Sequence, residues 1–242
     1  MKHSYGLQLF SVRDTAETDL LGTIRKVAEI GYEYVEFAGF FDHSAIDVRR
    51  TMDECGIKCS GTHTNYGELR PEVLDKTIEY HKTIGNSNII IPGAELWTLD
   101  NIAEFCDVVN NAIPILKKEG IKLGYHNHSH EFEIRCWGST IFAELERRTD
   151  LAFEIDTYWV FNAGCDPIKV LKRLENRLCA IHLKDGIPGE SGKALGEGYA
   201  PVKKVRDVAY EMGLPIVVES ETLDPDGISE VTRCFEYLKT ID

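Results

Sequence analysis

The feature that most constrains this chain is a strand-and-helix alternation repeated eight times over 242 residues. Strand character falls at Gly6–Leu9, Tyr34–Phe37, Lys58–Thr62, Asn88–Ile91, Ile121–Tyr125, Leu151–Ile155, Cys179–Leu183 and Pro215–Val218. Between and after these strands, helical periodicity covers Asp19–Ile30, Ala45–Cys55, Pro71–Ile84, Asp100–Glu119, Ser139–Arg148, the segment from Pro167 to Leu174, Pro201–Met212 and Ile228–Ile241. Helix ends are marked by Ser44 and Asp166 as caps and by Gly31, Gly56, Gly85 and Gly213 as stops. The wholly apolar Asn-Ile-Ile-Ile run at 88–91 is what a parallel strand covered on both faces requires. Eight units of about 30 residues each predict an α/β fold, a single-domain (β/α)₈ TIM barrel spanning residues 1–242. A doubly wound sheet is the alternative, but the first loop lacks a Gly-x-Gly-x-x-Gly run.

Charge narrows the partners. Lys and Arg number 27 against 40 Asp and Glu, a formal net charge of −13 that repels polyanions. The basic pairs Arg49-Arg50, Lys117-Lys118, Arg147-Arg148 and Lys203-Lys204 read as solvated helix faces, so no nucleic acid is expected. No stretch approaches 18 apolar residues and the N-terminus has no apolar leader core, so no membrane partner and a cytoplasmic location are expected. The 7 cysteines are scattered and odd in number, as in reduced packing residues. Homo-oligomerisation is compatible with the sequence. The loop 186–200 holds five glycines and is the segment where mobility is expected.

A barrel gathers the C-terminal ends of its strands at one mouth. Four consecutive strands end there in metal-ligand side chains: His126 in Tyr-His-Asn-His-Ser-His, Asp156 in Glu-Ile-Asp, His182 in Ile-His-Leu-Lys-Asp, and Glu219 in Val-Val-Glu. Two imidazoles and two carboxylates suit one divalent ion, Mn²⁺, Zn²⁺, Co²⁺ or Fe²⁺, with Mg²⁺ the weaker match. Other strand exits supply Gln8, Arg13, Glu36 and His63, and His128, Lys184 and Asp185 follow the ligand strands closely. All of these could reach a small polyol. Lys184 lies two residues after His182 and so projects to the same side.

These stretches resemble the xylose isomerase-like TIM barrels of the sugar phosphate isomerase/epimerase family. The resemblance runs through Gly-Leu-Gln-Leu-Phe-Ser-Val-Arg-Asp at 6–14, Val-Glu-Phe-Ala-Gly at 35–39, Asp-Thr-Tyr-Trp-Val at 156–160, His-Leu-Lys-Asp at 182–185, Gly-Glu-Gly at 196–198 and Val-Glu at 218–219. It implies a divalent metal held by His126, Asp156, His182 and Glu219, and adds Glu197 to the substrate-binding candidates Gln8, Arg13, His128 and Asp185. Many relatives have Glu where this chain has His126; members resembling inosose dehydratase also carry histidine. In the ketose epimerases two metal-bound glutamates exchange a proton across the substrate, and a metal-bound imidazole is not a free base.

The expected activity is therefore metal-dependent proton abstraction next to the carbonyl of a keto-sugar or keto-polyol, leading to isomerisation or dehydration. Glu219, Lys184, Glu36 and His63 are the catalytic candidates. Alternatives are a ketose 3-epimerase, a non-catalytic sugar-binding barrel or complex subunit, and a phosphodiesterase of the AP endonuclease type. The last is opposed by the net charge, because phosphate-backbone binding needs several cations.

Overall fold

A computed structural model describes residues 3–242. Eight parallel strands close into a barrel: β1 (Gly6–Gln8), β2 (Tyr34–Phe37), β3 (Lys58–His63), β4 (Asn88–Ile91), β5 (Lys122–His126), β6 (Ala152–Asp156), β7 (Leu178–Leu183) and β8 (Ile216–Val218). Each strand pairs with its sequence neighbours, and β1 closes the ring against β8 through Gly6–Val217 and Leu7–Val218. The principal helices are α1 (Leu20–Ile30), α2 (Ala45–Cys55), α3 (Leu74–Ile84), α4 (Leu99–Lys118), α5 (Ile141–Arg148), α6 (Pro167–Leu174), α7 (Val202–Glu211) and α8 (Gly227–Ile241). The expected single (β/α)₈ barrel is what the chain forms.

Local chemistry accounts for the helix limits. Asp19, Ser44, Thr98, Thr140, Asp166 and Asp226 each accept a backbone N–H of the first turn, which satisfies donors left without an intrahelical partner. Gly31, Gly56 and Gly85 end α1, α2 and α3 with positive φ, where a side chain would be strained. Pro71 does not begin α3, whose first residue is Leu74; the preceding chain turns through a 3₁₀ segment at Tyr66–Leu69. Pro114 lies inside α4 without ending it. The Ser139 segment begins its helix at Ile141 because Thr140 is the cap.

The main apolar core lies between barrel and helices, where Leu7, Val35, Phe37, Ile89, Ile91, Tyr125, Phe153, Ile155, Ile181 and Val218 meet buried helix residues such as Ile24, Val48, Phe105, Leu145, Leu171 and Val231. All seven cysteines are free. Among the described residues no helix is long and apolar enough to cross a membrane.

Two features were not in the sequence reading. A helix at Thr157–Asn162 follows β6, capped by Asp156, whose carboxylate accepts Trp159 N–H at 2.8 Å. The glycine-rich loop is tied down rather than free: Asp185–Gly186 pairs antiparallel with Gly192–Lys193, and the Asp185 carboxylate accepts N–H groups from Gly196, Gly198 and Ala200 at 2.9, 3.1 and 3.0 Å. One buried acceptor thus organises the return of the loop, which glycine content alone does not reveal.

Candidate active site

Strand alternation puts side chains of every second residue inside the barrel. Toward the mouth those positions are polar, not the branched aliphatics that usually fill such a layer. Two tiers result.

The outer tier consists of His126, Asp156, His182 and Glu219, each offering one ligand atom, all within 4.8 Å of one another. Register brings the first three together: His126 pairs with Glu154 and Asp156 with His182 on adjacent strands. Asn127 locks the ends of β5 and β6, donating to Asp156 O at 3.3 Å and accepting Asp156 N–H at 3.1 Å. Thr157 Oγ1 donates to His182 O at 2.9 Å. Asp156 Oδ2 is buried without a hydrogen-bond partner. A solvent-excluded acceptor beside two imidazoles and a second carboxylate fits a divalent cation, so these four residues can hold one.

Lys184 stands beside this set, fully buried. Its Nζ is 3.1 Å from Glu219 Oε2, 2.9 Å from Glu221 Oε1 and 3.6 Å from Asp156 Oδ2, and lies 4.8 Å above the Trp159 ring. Burial opposes its charge, but Glu219, Asp156 and Glu221 outweigh burial and hold the ammonium protonated. Burial likewise pushes Glu219 up, yet Lys184 and His182 together bring its carboxyl well below the usual range. For Asp156 burial prevails over Lys184, raising it to about 7. Burial keeps His126 neutral, the state an imidazole ligand requires.

The inner tier lies one step toward the barrel centre: Glu36, His63 and Glu154, with the other edge of the His182 ring. His182 Nδ1 faces Glu219 Oε2 at 3.3 Å, whereas Nε2 faces Glu36 Oε1 at 2.7 Å and Glu154 Oε2 at 3.1 Å. His63 Nε2 meets the same two oxygens at 3.2 and 3.0 Å. Burial raises Glu36, but His182 and His63 reverse the shift and hold it far below the normal carboxylate range. His63 shows the converse, with burial overcome by Glu36 and Glu154 to give a value of about 9.

The sequence-selected residues distribute as follows. His126, Asp156, His182, Glu219 and Lys184 converge. Glu36 and His63 belong to the inner tier, and Gln8 supports it, its Nε2 donating to Glu36 Oε1 at 2.6 Å while its Oε1 accepts Phe10 N–H. His128 stands at the mouth, its ring 5.0 Å from that of His126 and 6.0 Å from Trp159. Arg13 donates to Phe10 O and Glu221 O, bracing the loops after β1 and β8. The Asp185 carboxylate is engaged by its loop, and Glu197 pairs with Arg233 on the surface at 2.9 Å. Sequence reasoning missed Glu154, Glu221 and Glu131. Glu154 had a signal, since Glu-Ile-Asp at 154–156 puts two carboxylates on one strand face. Glu131 accepts Tyr125 Oη and His128 N–H, fixing the loop that carries His128.

A concavity of about 430 Å³ opens at the other end of the barrel, lined by Gly6, Tyr34, Ser60, Asn88 and Val217 among others. It gathers no cluster of charged groups, in contrast to the mouth.

The family of xylose isomerase-like TIM barrels matches residues 24–238, and the chain belongs to it. A sugar phosphate isomerase/epimerase from Parabacteroides distasonis is 25% identical, with a TM-score of 0.82 over 99% of this chain and 96% of that one. An L-ribulose 3-epimerase superposes with a TM-score of 0.75 at 14% identity, covering 99% and 94% of the two chains. A probable 3-DHS dehydratase from Bacillus anthracis gives 0.76 at 10% identity, with 98% and 99% covered. The last two likenesses establish the fold alone. A search of curated proteins found no match.

Proposed function

We propose that this protein is a divalent-metal-dependent enzyme that removes a proton next to the carbonyl of a keto-sugar or keto-polyol, with isomerisation or dehydration as the outcome. The observation that carries the reading is the outer tier itself: two imidazoles and two carboxylates at four successive strand exits, with a buried Asp156 oxygen that accepts no hydrogen bond and a buried lysine alongside. His126, Asp156, His182 and Glu219 would hold the ion, which when bound supplies Lewis-acid stabilisation of an enediolate. The neighbours' names, a sugar phosphate isomerase/epimerase, an L-ribulose 3-epimerase and a probable 3-DHS dehydratase, are in keeping with this reading.

Glu219 is the base in this reading. Its contacts with Lys184 and His182 fall on Oε2, leaving Oε1 to take the proton. It is ionised at neutral pH because Lys184 and His182 overcome its burial. Lys184, held charged, donates to the substrate oxygen on which negative charge develops. His128 and Trp159 bound the space above the site. A ketose 3-epimerase would require a second base facing Glu219; His126 occupies the strand position where many relatives carry one, Asp156 belongs to the ligand set, Glu221 is paired with Lys184 at 2.9 Å, and Glu36 and Glu154 are fully buried in the tier beneath.

The test is turnover of a panel of keto-sugars and keto-polyols by chelator-stripped and Mn²⁺- or Co²⁺-restored protein. Activity should vanish on stripping, return with the ion, and stay absent in Asp156→Ala. Full activity of stripped protein would overturn the proposal.

A further inference from the structure

The inner tier is more than support for the outer one. Glu36 Oε1, His63 Nε2, Glu154 Oε2 and His182 Nε2 form a closed ring of alternating oxygen and nitrogen, with successive separations of 3.2, 3.0, 3.1 and 2.7 Å. Within the ring each nitrogen faces two oxygens and each oxygen two ring nitrogens, and Glu36 Oε1 also accepts Gln8 Nε2 at 2.6 Å. A single N–H points well at only one acceptor, so hydrogen bonding satisfies at most half of these approaches with good geometry. Donors around one cation show this pattern naturally: bonds of about 2.1 Å place neighbouring donors about 3.0 Å apart at right angles and about 3.4 Å apart in a tetrahedron.

Three further observations point the same way. His126 Nδ1 is aimed at the ring, 3.4 Å from Glu154 Oε2, and has no hydrogen-bond partner although the residue is 2% exposed. Glu36 Oε2 and Glu154 Oε1 are also buried without partners. Both inner glutamates follow a register shift, at Val35/Glu36 in the β2–β3 pairing and at Phe153/Glu154 in the β6–β7 pairing, which is how a sheet re-aims a side chain toward a site. Gly61 leaves the room that the first of these needs, since a Cβ there would stand 2.8 Å from Glu36 Oε2.

We propose that the barrel interior holds a second divalent cation, bound by Glu36, His63, Glu154 and His182 beneath the outer site. Charge agrees in sign: among the described residues the only ion-pair partners of Glu36 and Glu154 are imidazoles, so a cation there would meet two buried carboxylates. His182 would then bridge the tiers as an imidazolate, its remaining ring proton released to solvent as the second ion binds, with Nδ1 outward and Nε2 inward. With Glu36, Glu154 and His182 fully buried, the inner ion would act as a fixed charge that sets the tilt of His182.

The experiment is metal stoichiometry of chelator-stripped full-length protein reloaded with Co²⁺, together with anomalous diffraction at the cobalt edge. Two ions per chain are expected, one peak among the four inner donors and one among the outer. His63→Ala and Glu36→Gln should each reduce two ions to one and leave the outer peak. Asp156→Ala should do the reverse. A single ion at the outer donors of the wild type would overturn the inner site and leave the proposed function standing. A single ion at the inner donors would support this inference and defeat the outer assignment. If the inner variants fail to fold, the wild-type map decides.

Discussion

Replacing Lys184 by Met isolates the charge at the centre of the site, because Met keeps an unbranched apolar stem of similar length while the ammonium is lost. Lys184 is fully buried and lies 3.1 Å from Glu219 and 2.9 Å from Glu221, so the substitution strands carboxylates that are themselves largely out of water. Breaking a buried pair from one side costs about 3–5 kcal/mol. Asp156, raised by burial to about 7, contributes at pH 8 and little at pH 6; Glu219, held ionised against its burial by Lys184 and His182, contributes most. In the variant its folded-state pKa rises, so protonation offsets the loss as pH falls, by about 1.4 kcal/mol per pH unit for each proton taken up. Urea denaturation of metal-stripped protein should therefore show a deficit of about 3–5 kcal/mol at pH 8 that shrinks by pH 6, and Mn²⁺ should stabilise the variant more than the wild type. A deficit below about 1 kcal/mol at pH 8 would refute the reasoning, because Lys184 would then not be neutralising buried charge.

Two further outcomes follow from groups away from the outer tier. His81 on α3 is 2% exposed, shares Thr62 and Asn86 as hydrogen-bond partners, and is lowered by burial from 6.5 to about 4. Its contribution is complete above the unfolded value and declines as pH falls toward the folded one, so about 2 kcal/mol of stability should disappear between pH 7 and pH 5 and be insensitive to pH in His81→Gln; parallel pH profiles for the two proteins would contradict it. Asp185→Ala removes the acceptor for the N–H groups of Gly196, Gly198 and Ala200 and should cost about 2–4 kcal/mol. The loop 186–200 should become the first site of limited proteolysis and its amides should lose exchange protection, whereas unchanged protection would show that the loop is held by something else.

The barrel was legible because eight apolar strand segments and their glycine and Asp/Ser boundaries carry local signals, and because parallel strands buried on both faces leave long apolar runs such as Asn88–Ile91. The outer tier was legible for a related reason: barrel topology converts the position "end of strand" into spatial proximity, so His126, Asp156, His182 and Glu219 could be grouped across 94 residues without any contact information. What could not be read was depth. Glu36 and His63 sit at strand ends in sequence, yet strand stagger and the register shifts at Glu36 and Glu154 drop them below the mouth. Glu154 was passed over because it lies inside a segment otherwise read as apolar. Asp185 and Glu197 looked like mouth residues by sequence position, but which carboxylate staples a loop, pairs on the surface or faces a substrate depends on backbone N–H directions that only the folded loop sets.

The central claim, that Glu219 removes a proton next to a substrate carbonyl, is tested most directly by proton NMR of a turned-over keto-sugar in deuterated water, with wild type and Glu219→Gln compared after each is shown to hold the outer ion. Wild type should place solvent deuterium on the carbon beside the carbonyl, and the variant should slow that exchange by at least about 100-fold, the usual contribution of a positioned base. Exchange at the wild-type rate in metal-loaded Glu219→Gln would show that another group is the base and that Glu219 serves the ion alone.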